Sequence, residues 1–321
     1  MIAERLQINA GIAGQTLAAI VRSANPGTTW SQARKQIAGR RLRLNGELCL
    51  DPARRVKEGD VVELLNRPAP LPTALAGQLT IRRLDEHLVV VEKPAGISTT
   101  RHPAEMHWPA ARRRLTPTLD ERVQAAIAEG LKVPLHRLPR LRKVHRLDKL
   151  TSGLLVFARS AAAERDLGRQ FFAHTVRRCY QALVAGRPKV GTIRTYLLRD
   201  RGDGRRGSSG VDGRGKLAVT HIEKVESLGK FSLITCRLET GRTHQIRIHL
   251  AELGHPVCGD PVYSIRPDGT RIADVSGVER LALHAAELGF RHPATNEELH
   301  WIMPLPPDLN SVIDRLRRAD G

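Results

Sequence analysis

A proline-rich break divides the 321-residue chain. Residues 66–78 read NRPAPLPTALAGQ. Pro68, Pro70 and Pro72 lack the backbone donors that a helix or central strand needs, and they bias the segment toward extended conformation. Two folding units are expected: a small one over residues 1–66, a linker over 67–78, and a larger one over 79–321. Hydrophobic residues make up 41% of the chain, enough to bury a real core, so wholesale disorder is excluded. The longest apolar runs are short, such as residues 154–158, and no membrane span is expected. Glu4 and Arg5 near the start, with no apolar core and cleavage site after them, do not fit a secretory leader.

In the small unit, Thr29 is placed to N-cap a helix with Trp30, Ala33 and Ile37 on one face and Gly39 at its end. Arg34 and Lys35 project elsewhere. The run RLRLNGELCL then alternates Arg41 and Arg43 with Leu42 and Leu44. Its Asn45-Gly46 pair is a strong hairpin signal, because both central residues of a type I′ turn need positive φ. Leu48 and Leu50 continue the return strand, and a turn at 58–60 precedes a short strand over 61–65. This basic helix followed by L-x-L-N-G, within residues 5–66, resembles the S4-type RNA-binding domain. The resemblance makes Arg34, Lys35, Arg41 and Arg43 candidate RNA contacts.

Charge points the same way. The chain carries 52 Lys and Arg against 33 Asp and Glu, a formal charge of +19. A folded protein this basic suits a polyanion, since each cation that meets a phosphate releases a counterion. Residues 101–146 hold 11 basic and 4 acidic side chains, and the arginines at 112–114 and 137–146 are suited to track a phosphate backbone. Only 3 Trp, 3 Tyr and 5 Phe are present, too few for a long platform of serially stacked bases. Cys49, Cys179, Cys236 and Cys258 form no C-x-x-C pair, hence neither a disulfide framework nor a zinc pattern. A reducing cytoplasm is the expected compartment.

In the larger unit, strands dominate with helices between them. A buried strand over 87–92 ends in Lys93-Pro94-Ala95-Gly96, and a helix over 118–129 carries Leu119, Val123 and Ile127 at helical spacing. A strand over 153–158 leads to Ser160, an N-cap for a helix with Leu167 and Phe171 on one face. Residues 178–185 alternate as a strand, a Gly- and Arg-rich loop covers 199–216, and further strands fall near 217–225 and 231–238.

Two segments carry polar groups that composition does not explain. His145-Arg146-Leu147-Asp148-Lys149-Leu150-Thr151-Ser152-Gly153 sets an aspartate in a turn before a buried strand. On residue type alone such an Asp reads as an Asx-turn or a surface ion pair. In the second, Glu239-Thr240-Gly241-Arg242-Thr243-His244-Gln245-Ile246-Arg247-Ile248-His249-Leu250, a Gly turn precedes a helix that Thr243 caps. Ile246, Leu250 and Leu253 point inward and Gly254 closes the helix. Arg247 flanks the apolar stripe, and a buried arginine needs a carboxylate partner. His244 and His249 are poorly spaced to share a metal and are expected to hydrogen-bond or to meet phosphate.

These segments, with R-x-Y-x-A-x-V-x-G at 178–186, KPAG at 93–96, GDPVY at 259–263 and LHA-x-x-L-x-F-x-HP at 283–293, resemble the RluA family of RNA pseudouridine synthases. The resemblance covers roughly residues 80–310 with every landmark in family order, and an S4-type domain ahead of the catalytic one is a known arrangement there. It implies an α+β fold: a mixed, mainly antiparallel bipartite sheet with flanking helices and a central cleft, plus the small N-terminal α/β domain. It implies that Asp148 is the catalytic aspartate and Arg247 its paired arginine. Tyr180 would pack on the flipped base and help move the C5 proton, and Arg146 would fill the space that the base leaves. Arg242 and His244 are further candidate RNA contacts.

The chemistry agrees with those roles. Turning uridine into pseudouridine breaks N1–C1′, rotates the base and makes C5–C1′, with no net oxidation, so neither metal nor cofactor is expected. An ionised carboxylate serves as nucleophile at C1′ or as base at C2′, and a nearby guanidinium favours the ionised form. The resemblance implies structured RNA as partner, large-subunit ribosomal RNA ahead of transfer RNA; a monomer without a membrane partner is expected. The alternative is a non-catalytic RNA-binding or ribosome-assembly protein on the same fold.

Overall fold

The computed structural model describes residues 2–69, 79–108, 113, 115–200, 206–211, 214–264, 270 and 272–320. Its contacts separate into two units, residues 1–76 and 77–321. Residues 70–78, most of the proline-rich segment, lie outside the described residues. No helix among the described residues is long and apolar enough to cross a membrane.

The small unit is a four-stranded sheet under two helices. Strands β1 (Ile2–Gln7), β2 (Leu42–Leu44), β3 (Glu47–Leu48) and β4 (Val61–Leu65) lie in the order β1-β4-β2-β3, all antiparallel. Helices α1 (Leu17–Ala24) and α2 (Trp30–Ala38) pack Leu17, Ile20, Val21, Ala33 and Ile37 against Leu42, Val62 and Leu64 of the sheet. Thr29 caps α2 in a full capping box with Gln32. Asn45 and Gly46 both take positive φ, as the hairpin requires. Trp30 departs from the expected inward face. It is 45% exposed, because it starts the helix beyond the sheet's reach, and the Arg22 guanidinium lies 4.3 Å over its ring. Ala69 is buried and its amide donates to Arg40 O, so part of the proline-rich segment packs on this unit.

The large unit is built on one mixed sheet, flanked by α3 (Leu119–Leu131), α4 (Ala161–Phe172), α5 (Gln245–Glu252) and α6 (Pro307–Asp320). Its strands are β5 (Ile81–Leu84), β6 (Leu88–Lys93), β7 (Arg142–Lys143), β8 (Ser152–Ala158), β9 (Arg177–Ala185), β10 (Gly191–Leu198), β11 (Gly207–Ser209), β12 (Lys216–Leu228), β13 (Phe231–Leu238), β14 (Leu283–Arg291) and β15 (Glu298–Ile302). The order is β11-β10-β12-β13-β9-β14-β8-β6-β5, with β15 on β14 and β7 on β8. Every pairing is antiparallel except β14 with β8. That parallel ladder holds only His284 with Ser152 and Ala285 with Gly153, and it joins the two halves of the sheet. Strand β11 falls inside the stretch read as a continuous loop, because it pairs with β10 through only three residues.

The register at this junction places the site. Tyr180 of β9 faces Ala285 of β14, Ala285 faces Gly153 of β8, and Gly153 faces Lys93 of β6. One row across four strands thus carries a buried tyrosine and a buried lysine. Gly153 has φ +125°, and a Cβ there would lie 2.3 Å from Ala285 O, so only glycine permits this approach.

Candidate active site

The turn that carries Asp148 lies between β7 and β8, directly before the parallel junction. Its backbone is fixed from the β6 side. Lys93 is fully buried, and its Nζ donates to Pro94 O at 3.0 Å, Lys149 O at 3.1 Å and Thr151 O at 2.7 Å. Three carbonyls match the three donors of an ammonium. Gly96 N also donates to Lys149 O, and Thr99 Oγ1 donates to Leu147 O. Thr151 N closes the turn on Asp148 O. The KPAG and HRLDKLTSG segments are therefore one device, in which the first holds the second.

Arg247 reaches the turn from α5. This helix is buried on nearly every side, from Gln245 to Leu250, and its polar side chains find partners. Gln245 Nε2 donates to Val219 O and Thr220 Oγ1, while its Oε1 accepts from Arg242 N and Thr240 Oγ1. His249 bridges Thr220 Oγ1 and Thr195 Oγ1, and burial pushes its imidazole down to about 4. These bonds fix α5 on the sheet and with it the Arg247 guanidinium.

The guanidinium has two carboxylate partners, of unequal strength. Asp260 takes Nε at 2.7 Å and Nη2 at 2.9 Å, a bidentate pair with a carboxylate that has no solvent exposure. Asp148 Oδ2 receives Nη1 at 3.4 Å. The expected pairing of Arg247 with Asp148 is thus the weaker of the two; its principal partner is Asp260, because GDPVY folds against α5. Burial alone would push the Asp260 carboxyl up. The Arg247 bonds and charge, with the amides of Val262 and Tyr263, hold it below the usual carboxylate range. Burial likewise opposes the charge on Arg247, and Asp260 overrides it, so the guanidinium is held more firmly protonated than a free arginine.

Asp148, Arg247, Tyr180 and His244 line one cavity of about 550 Å³. Tyr180 is buried, which raises its phenol above the ordinary value; Arg178 opposes the rise and Asp148 adds to it. It enters the cavity as a neutral hydroxyl. His244 Nδ1 bonds Tyr263 OH at 2.8 Å, and its Nε2 lies 3.8 Å from Asp148. Burial lowers its basicity and Asp148 partly restores it. His145 also lines the cavity, with Nε2 accepting from Val156 N and burial pushing the ring down to about 3.

The other expected contacts fall as follows. Arg146 is exposed and lines the cavity two residues before Asp148. Arg242 also lines it, with Nε donating to Leu217 O. Arg34, Lys35 and Arg41 are exposed and Arg43 half-buried, all in the small unit. In the basic stretch, Arg101 is turned inward onto Glu121, whereas Arg137, Arg140, Lys143 and Arg146 face solvent. Arg112 and Arg114 lie outside the described residues. Two local expectations are corrected. His244, in the left-handed region at φ 60°, occupies the N-cap in place of Thr243, because the Gln245 side chain takes the Arg242 amide. Leu253 is the C-cap, one residue past the helix end at Glu252, and is 50% exposed rather than inward-facing. Asp260 was not singled out from the sequence; the buried charge foreseen on Arg247 was the signal that could have led to a second carboxylate.

The sequence profile described as RNA pseudouridylate synthase matches residues 87–252, and the S4 domain profile matches residues 15–62. A protein of Zymomonas mobilis named ribosomal large subunit pseudouridine synthase D is 37% identical over 84% of this chain and 84% of its own length. A protein of the same name from Escherichia coli O157:H7 is 31% identical over 98% of this chain and 96% of its own. Among solved structures, human RNA pseudouridylate synthase domain containing 4 shares the fold, with a TM-score of 0.57 at 24% identity over 76% of this chain and 94% of that one.

Proposed function

The chain belongs to the RNA pseudouridylate synthase family, and from that premise we propose that it isomerises a uridine of large-subunit ribosomal RNA with Asp148 as the catalytic group. The observation that carries the assignment is the Asp148 carboxylate, held in the cavity beside a guanidinium that Asp260 has already oriented. An ionised carboxylate so placed acts at the sugar, as nucleophile on C1′ or base at C2′. The uridine must first leave its stack, at a cost of a few kcal/mol. Arg146, exposed at the cavity, offsets part of it by occupying the gap. Tyr180, a neutral phenol in the same cavity, packs on the flipped base and passes the C5 proton. Arg242 and His244 contact the RNA, His244 being held between Tyr263 OH and Asp148.

The ribosomal substrate rests on the names of the relatives and on the S4-type unit, whose exposed Arg34, Lys35 and Arg41 suit structured RNA recognised by shape and phosphate. The working form is a monomer in the cytoplasm, where the unbridged cysteines Cys49, Cys179, Cys236 and Cys258 stay reduced. Carbodiimide adducts mapped by primer extension, in RNA from cells with and without the gene, test the substrate. Loss of a signal in large-subunit ribosomal RNA is expected; loss confined to transfer RNA would overturn it.

A further inference from the structure

One wall of the cavity has no part in the chemistry at Asp148. Arg178 stands two residues before Tyr180 on β9, on the same face of the strand, and lines the cavity. It is 5% exposed. Its Nη2 donates to Glu239 O, its buried Nε has no hydrogen-bond partner, and no ion pair to a carboxylate is present among the described residues. A buried guanidinium normally has an anion beside it. The group is nonetheless built in. It lies 5.3 Å over the Phe171 ring, which stacks on His145 at 4.6 Å, and a Cβ on Gly241 would come within 2.7 Å of Nη1. Next to Phe171, Phe172 lines the same cavity and is 86% exposed, the most exposed large apolar side chain among the described residues.

A buried cation without a carboxylate partner and an exposed aromatic ring lining the same cavity are the pairing that a nucleotide satisfies, phosphate to one and base to the other. We propose that this wall binds the nucleotide adjoining the target uridine, with its phosphate against Arg178 and its base stacked on Phe172. The inference rests on the synthase reading, because the wall is continuous with the cavity that holds Asp148.

The test is the affinity of the full chain for a protein-free large-subunit ribosomal RNA transcript, measured by filter binding, which needs no turnover. Phe172→Ala, at an exposed position, should fold as the parent does and bind about tenfold more weakly, whereas Phe172→Trp should bind as the parent. Arg178→Lys should keep the parental salt dependence, and Arg178→Met should lower the slope of log Kd against log salt by about 0.7–0.9, one phosphate contact. Parental affinity in Phe172→Ala, or equal weakening in the Ala and Trp variants, would overturn the proposal even if Arg178→Met fails to fold. Tritium release by the parent from the same transcript, labelled at uridine C5, tests the synthase reading separately.

Discussion

Arg247 divides its donors between a buried carboxylate that fixes it and a second, more distant one. Asp260, without solvent exposure, holds two nitrogens, while Asp148 keeps a longer contact that leaves its oxygens available to substrate. Arg247→Ala therefore strands Asp260 in the interior and should lower stability by about 3–5 kcal/mol in denaturant unfolding. Arg247→Lys should retain part of that stability, since a single ammonium replaces one of the two bonds. If the Ala variant unfolds at the parental midpoint, the buried pair is not what holds α5. That Asp148, Tyr180 and Arg247 line one cavity followed from the family resemblance of the segments that carry them. Asp260 was not legible, because its partner lies 13 residues away across a turn whose path no local pattern gives.

At the scale of elements, the turn before β8 depends on β6. Lys93→Met would leave the carbonyls of Pro94 and Thr151 without this donor, while Lys149 O keeps Gly96 N, and should cost about 2 kcal/mol or more. Burial pushes the Lys93 ammonium down to about 7 from the ordinary 10.5. Between those values the unfolded chain binds more protons than the folded one, so the Lys93 contribution to stability rises with pH. The stability difference between parent and Lys93→Met should widen from about pH 7 to about pH 10, by at most about 1.4 kcal/mol per pH unit. A difference flat across that range would contradict the lowered value. The capping of α2 and α4 was legible from Thr29 and Ser160, whose hydroxyls accept the expected amides. The start of α5 was not, because a buried glutamine side chain replaces the usual cap and the helix has no polar face from which to read its orientation.

For the whole molecule, the α+β class came from the family resemblance of the motifs, whereas the joint between the sheet halves could not be read. Ser152 and His284, which meet there, are 132 residues apart. The residues that line the cavity all belong to the larger unit, and the core of the small unit, from Ile8 to Leu64, is its own. A chain beginning at Leu79 should fold, keep the cavity and bind RNA with a shallower salt dependence. Every phosphate that Arg34, Lys35, Arg41 or Arg43 neutralises in the full chain should account for about 0.7–0.9 of the fall in slope. An unchanged slope would assign the electrostatic footprint to the exposed cations between Arg137 and Arg146 instead. Isomerisation of uridine by Asp148 frees the hydrogen at C5, so tritium release from C5-labelled large-subunit ribosomal RNA reports it. The parent should release tritium and Asp148→Asn should release none while still binding the RNA; release by Asp148→Asn at the parental rate would contradict the account.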